Sequence, residues 1–269
     1  MILPRTGKIT TKNSTRAGAA IPTMRRAVGR VARSVLGTIT SVETREPVVA
    51  LTFDDGPDPH STPRLLKILE RRGARGTFFM IGRRAAEHPE IVTRVIAGGH
   101  SIGNHTWDHA SLPLLSRRER FDQLRRCSQA FGRRELRMFR PPYGHQDNRS
   151  RLDVALAGLS VVTWSVLEPD WLDRDAKTIA TGIEDKIQPG SIVLLHDGLA
   201  DALDPEYFDR GPTLGAVELL LERLSSRFRF VTVPELLQCG AVRKVFWSQL
   251  PDRAFLNELE NKDGVVRSY

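Results

Sequence analysis

The sequence predicts an α/β fold, a distorted (β/α) barrel of about seven strand–helix units. Three observations lead there. From residue 48 onward, short β-branched or aromatic runs alternate with polar segments of helical period. Seven units over roughly 190 residues suit a barrel, complete or distorted. The most conspicuous polar residues stand just after the strand runs, where parallel α/β folds gather their chemistry. A doubly wound sheet shares the alternation and stays open as the alternative.

The units follow in order. "VVALTF" (48–53) precedes a helix beginning near Ser61, and "TFFMI" precedes "RRAAEHPEIVTRVIAG". "HSIGN" precedes "SRRERFDQLRRCSQAFG", and "MFR" leads through a loop to "SRLDVALAG". "LSVVTWSV" precedes "DAKTIATGIEDKI", "SIVLLH" precedes "TLGAVELLLERLSSR", and "FRFVTV" precedes "PELLQC". The expected organisation is a basic, partly disordered arm over 1–47, a catalytic domain over 48–239 and a tail over 240–269.

Composition narrows the function classes. Apolar content of 40% and charged content of 27% are those of a globular protein. The net charge is +8, but residues 1–47 hold nine Lys or Arg against Glu43 and Glu46, so the arm carries +7 of it. A nucleic-acid-binding domain would carry that charge on its folded surface, so no nucleic-acid partner is expected. The stretch "MRRAVGRVARSVLGTIT" (24–40) sets Val28, Val31, Val35 and Leu36 at helical spacing among arginines, a pattern able to touch an anionic membrane surface. Arg30 and Arg33 interrupt any secretory apolar core, so the expected compartment is cytoplasmic. Cys127 falls on one helix face with Leu124 and Phe131 and reads as core. Neither it nor Cys239 implies a disulfide framework or a ligand spacing. The expected state is a monomer.

The first strand run stops at two adjacent carboxylates, Asp54 and Asp55, each of which opposes ionisation of the other. Asn104-His105 ends the third run, with His109 four residues on. Four residues apart, the two imidazoles can share one face if the segment makes a helical turn. Arg140-Pro-Pro-Tyr143-Gly follows the fourth run, Asp170-Trp171 the fifth and His196-Asp197-Gly the sixth. One such motif alone is weak, but five after five different strands point to one site. Asp197 reads equally as a turn residue, and His60, His88, His100 and His145 read as non-catalytic, with His145 beside the fourth loop.

"TFDDGP", "HTWDH", "RPPYG", "DW" and "LLHDG", in that order, resemble the motifs of the polysaccharide deacetylase family, whose members carry the NodB-homology domain. The resemblance covers residues 48–237. It implies a distorted barrel and metal-dependent removal of acyl groups from sugars. By resemblance, Asp55, His105 and His109 would bind one divalent metal, most simply Zn²⁺, with Co²⁺, Ni²⁺ or Mn²⁺ also suited to one carboxylate and two imidazoles. Asp54 would be the general base and Arg140 would orient it. The Tyr143 amide would help hold the oxyanion while its ring walls the acyl pocket. His196 would protonate the leaving amine, with Asp170 as its partner. Trp171 and Leu194 would offer apolar surface to a small acyl methyl. Where relatives often carry an Asp two residues beyond a pair like Trp164-Ser165, this chain has Leu167, which leaves open how the loop around Glu168 meets substrate.

The expected substrate is a carbohydrate: an N-acetylated amino-sugar oligosaccharide or glycan of the chitooligosaccharide kind. Short connections between units favour an open groove. The alternatives are a deformylase or other non-peptide amide hydrolase on the same scaffold, and a non-catalytic carbohydrate-binding relative, which would need a damaged site.

Overall fold

The structure, a computed structural model, describes residues 36–132, 136–172, 174–200 and 209–257. Residues 24–35 of the basic stretch able to touch a membrane surface, with all of its arginines, lie outside them. Among the described residues no helix is long and apolar enough to cross a membrane.

Parallel strands run β6(Ser160–Val161), β5(Met138–Phe139), β4(Ser101–Asn104), β3(Gly76–Met80), β2(Val48–Asp54), β8(Ile192–His196), β7(Val166–Leu167) across the main sheet, and β9(Arg229–Phe230) pairs with the start of β2. Helices α1(Thr62–Arg71), α2(Gly82–Glu87), α3(Pro89–Ala97), α4(Arg117–Gln129), α5(Asn148–Leu156), α6(Ala176–Glu184), α7(Gly211–Leu224) and α8(Val233–Leu236) connect and cover the strands. All seven expected strand runs are present. The run "LSVVTWSV", however, serves as two edges. Its first half pairs with β5 and its second half with β8, so one short segment supplies both borders and the sheet curls into a distorted barrel.

Period-two alternation explains why β2 ends in acid. Val49, Leu51 and Phe53 pack outward with Leu65, Leu69, Leu220 and Leu221 of the helices. Val48 and Ala50 pack with Phe79, Met138 and Ile192 in a second, inner cluster. Thr52 and Asp54 continue that inner face, as Leu194 and His196 continue it from Ile192. The interior therefore grades from apolar at the strand starts to charged at the strand ends. Gly103 belongs to this packing, because a Cβ there would lie 2.4 Å from the Phe79 ring.

Two strands lie outside the expected 48–239 body. β1(Thr38–Glu43) and β10(Ala241–Val245) pair antiparallel, and bridges from Ile39 to Val162 and from Ser41 to Ser191 dock β1 onto the barrel. Thr38, Ile39 and Val42 are buried, with Ile39 and Val42 in the inner cluster. These residues stand in the segment expected to be an arm. They are ordered because they fill the bottom of the barrel.

Candidate active site

Every motif residue expected at a strand end is at one. Asp54 closes β2, His105 follows β4, Arg140 follows β5, Asp170 and Trp171 follow β7, and His196 closes β8. Asp54 and His196 face each other across adjacent strands.

Arg140 is the buried hub. It is 0% exposed, and its guanidinium donates to Asp54 Oδ1 (2.8 Å), Thr52 Oγ1 (2.7 Å) and the carbonyls of Val162 (3.2 Å) and Thr163 (2.9 Å). Its planar face lies 4.1 Å over the Phe79 ring. Burial pulls its pKa down, and Asp54 opposes that pull. A fork of this shape fixes the Asp54 carboxylate in one orientation.

Asp55 Oδ1 lies 3.2 Å from His105 Nε2 and 3.1 Å from His109 Nε2. Despite these distances, this buried oxygen makes no well-directed hydrogen bond. The three side chains can bring one ligand atom each within 4.8 Å of one another. His105 Nδ1 stands 2.7 Å from the Arg140 carbonyl, which can only accept, so Nδ1 carries the proton and Nε2 keeps its lone pair. Burial alone would push Asp55 up, but His109 and His105 hold it well below the usual carboxylate range. A buried carboxylate oxygen facing two imidazole nitrogens, one of them with its lone pair free, fits a divalent metal. The other Asp55 oxygen accepts the Ala200 amide at 3.0 Å.

The two histidines come together without the helical turn that their spacing would allow. Residues 105–110 form an irregular loop in which Thr106 (φ 64°) and His109 (φ 67°) are left-handed. Asp55 (φ 72°) and Tyr143 (φ 57°) complete the non-glycine residues with positive φ among those described. All four stand at or beside this one site, and strained backbone, of order 1–3 kcal/mol per residue, persists only where the surroundings impose it.

On the facing side, Asp170 Oδ1 lies 2.8 Å from His196 Nδ1, and Asp170 Oδ2 accepts the His196 amide at 2.9 Å. Burial opposes both charges, but their attraction prevails. His196 is raised by Asp170, and Asp170 is lowered by His196 and Arg210. Trp171 stands edge-on to the His196 ring at 5.2 Å. Leu194 is buried two residues before His196 on the same inner face. The Tyr143 ring packs edge-on against His109 at 4.5 Å and is 37% exposed.

Sequence reasoning missed three supporting groups. Arg210 donates to Asp170 Oδ2 (2.7 Å) and to its carbonyl (2.9 Å), while Thr213 donates to the same Oδ2 at 3.0 Å. Arg84 donates to the Asp55 carbonyl at 2.9 Å and to the Leu199 carbonyl at 2.8 Å. The only signal available in sequence was indirect: a buried Asp170 needs a cationic partner from somewhere in the fold.

Asp197 is buried, its carboxylate hydrogen-bonded by Thr62 and its pKa pushed up by burial to about 7. It lies against Gly56, where a Cβ would come within 2.3 Å of Asp197 Oδ2. Glu168 is tied to Arg174 (2.6 Å) and Lys186 (2.5 Å). His145 hydrogen-bonds Ser111 at 3.1 Å, and burial brings its pKa to about 4.

A family model for polysaccharide deacetylases matches residues 41–162. A chitooligosaccharide deacetylase of Azorhizobium caulinodans is 36% identical over 201 residues, covering 72% of this chain and 96% of that protein. The chain belongs to the polysaccharide deacetylase family. A peptidoglycan-N-acetylglucosamine deacetylase of Bacillus cereus is likewise 36% identical, over 73% of this deacetylase and 91% of its own length. A crystal structure of a peptidoglycan N-acetylglucosamine deacetylase superposes with a TM-score of 0.67 at 31% identity, covering 76% and 94% of the two chains. The fold expected from the sequence and the family it resembles therefore both hold.

Proposed function

We propose that this deacetylase hydrolyses the N-acetyl amide of an amino-sugar oligosaccharide, releasing acetate and a free amine, with Asp55, His105 and His109 holding one divalent metal. The observation that carries the reading is Asp55 Oδ1, buried without a hydrogen bond beside two imidazole nitrogens and one residue from a second carboxylate. A divalent ion there supplies Lewis acidity, polarising the acyl carbonyl and making water a stronger acid.

The chain's own residues do the rest. Asp54, oriented by Arg140, takes a proton from the attacking water. The Tyr143 amide donates to the oxyanion that develops as the C–O bond forms. His196 keeps its Nδ1 proton on Asp170 and gives its Nε2 proton to the amine nitrogen as the C–N bond breaks. Trp171 and Leu194 line the acetyl methyl. Base and acid sit on neighbouring strands, which suits attack and departure on opposite sides of one carbonyl carbon.

The test is acetate release from N-acetylated chitooligosaccharides, peptidoglycan fragments and O-acetylated sugars, with and without added Zn²⁺. Metal-stimulated acetate release from an N-acetylated glycan is expected. Formate release from formamides without acetate release would favour the deformylase alternative, and glycan binding without hydrolysis would favour a binding protein.

A further inference from the structure

After β10 the chain returns to the rim of the active site. Trp247 stands 5.5 Å edge-on to Trp164, and its carbonyl accepts from Arg151 at 2.6 Å. Gln249 and Gln146 exchange backbone hydrogen bonds of 2.8 and 3.0 Å, an antiparallel bridge onto the loop after β5. From that bridge the Gln249 side-chain amide donates to the Tyr143 carbonyl at 3.3 Å. Phe255 packs edge-on against both Tyr143 (4.7 Å) and His145 (4.9 Å). Gly144, between them, is left-handed (φ 70°), and a Cβ there would sit tightly, 3.2 Å from the Trp164 ring and 3.3 Å from the Gln249 side chain.

Tyr143 is thus held from two sides. Its ring meets His109 inward and Phe255 outward, and its left-handed backbone is tied at the carbonyl. A bulky residue does not keep a positive φ unless its surroundings impose it. Here much of the imposing surface comes from residues that the family model, ending at residue 162, does not reach.

We propose that segment 246–256 is a positioning element of the active site, holding the Tyr143 turn in register with the metal-ligand set. The inference rests on the deacetylase reading for its kinetic consequence, but not for its structural one. A donor and a wall aimed at the transition state are sensitive to small displacements, so loss of the segment's grip should lower turnover more than substrate binding.

The test uses the full chain carrying Gln249→Ala and Phe255→Ala together, with Leu156→Ala, 58% exposed and outside the segment, as control. On an N-acetylated chitooligosaccharide the double variant should lose about tenfold or more in kcat with little change in KM, while still binding one metal per chain. The control should match wild type. The chain has three tyrosines, so fluorotyrosine labelling gives a second readout. The fluorine signal assigned to Tyr143 by Tyr143→Phe should shift in the double variant. If that variant fails to fold, Gln249→Ala alone is read the same way. An unmoved Tyr143 signal, or wild-type kcat in a folded variant, overturns the proposal. If the wild-type protein releases no acetate, the deacetylase reading fails, and the fluorine signal still decides whether the segment positions Tyr143.

Discussion

Asp170 and His196 are joined at two points: one carboxylate oxygen meets the ring at Nδ1 (2.8 Å), and the other accepts the backbone amide (2.9 Å). The imidazole is therefore fixed in both tautomer and rotation, and its positive form is favoured despite burial. Turnover that needs His196 protonated falls as pH rises through its raised pKa. In Asp170→Asn the charge is gone while the shape remains, so that pKa drops and the alkaline limb moves to lower pH, the acid limb staying nearly fixed. An unchanged alkaline limb in a folded, active variant would break the partnership.

The two adjacent carboxylates should separate in metal titrations. Asp54→Asn keeps the ligand set and should retain stoichiometric Zn²⁺ with turnover lost. Asp55→Asn removes a ligand and should weaken metal binding by about a hundredfold or more. His105→Ala/His109→Ala should bind no metal at the site. Equal metal loss in both Asp variants, measured calorimetrically, would contradict the division of roles.

Arg140 should be as necessary to the fold as to the reaction. Arg140→Met leaves Asp54 buried beside carbonyls with no cation, a change worth roughly 3–5 kcal/mol of stability. Denaturant unfolding should show a clear fall in midpoint. Arg140→Lys retains charge but lacks the fork that spans Asp54, Thr52 and two carbonyls, so turnover should fall further than stability. Wild-type kcat in Arg140→Lys would argue against orientation as its role.

Truncation should locate the N-terminal boundary. A chain starting at residue 36 should fold and turn over like the full protein on soluble substrate. One starting at Thr44 loses Ile39 and Val42 from the inner cluster and deprives β10 of its partner. Burying two such side chains contributes about 3–6 kcal/mol, so a melting temperature many degrees lower is expected. Equal melting temperatures for the two chains would mean that β1 contributes little.

Much of this was legible in the sequence, for local reasons. The seven strand runs announce themselves through β-branched and aromatic residues, and the site through polar residues that have no place at the end of an apolar strand. β1 was missed although "TITSVE" is rich in β-branched residues, because it runs on from an arginine-rich helical pattern. β10, "AVRKV", is half-exposed and charged, so it carries no strong period. The conformation of the histidine loop was not legible, because spacing cannot reveal a positive φ at Thr106 and His109. Arg210 and Arg84 act only through contacts that the fold creates, 40 and 29 residues from their partners in sequence. The grip of Gln249 and Phe255 on Tyr143 is longer still in range.

The pairing of β1 with β10 also bears on how the protein is made. Val42 and Val242 are partners 200 residues apart. On the ribosome β1 emerges before the whole barrel and must wait for its synthesis before its neighbour exists, and contacts of such separation are slow to form. The same stretch of chain, residues 241–255, reaches both the barrel bottom and the active-site rim. A nascent chain can thus hold Asp55, His105 and His109 while the turn bearing Tyr143 still lacks the contacts that Gln249 and Phe255 bring.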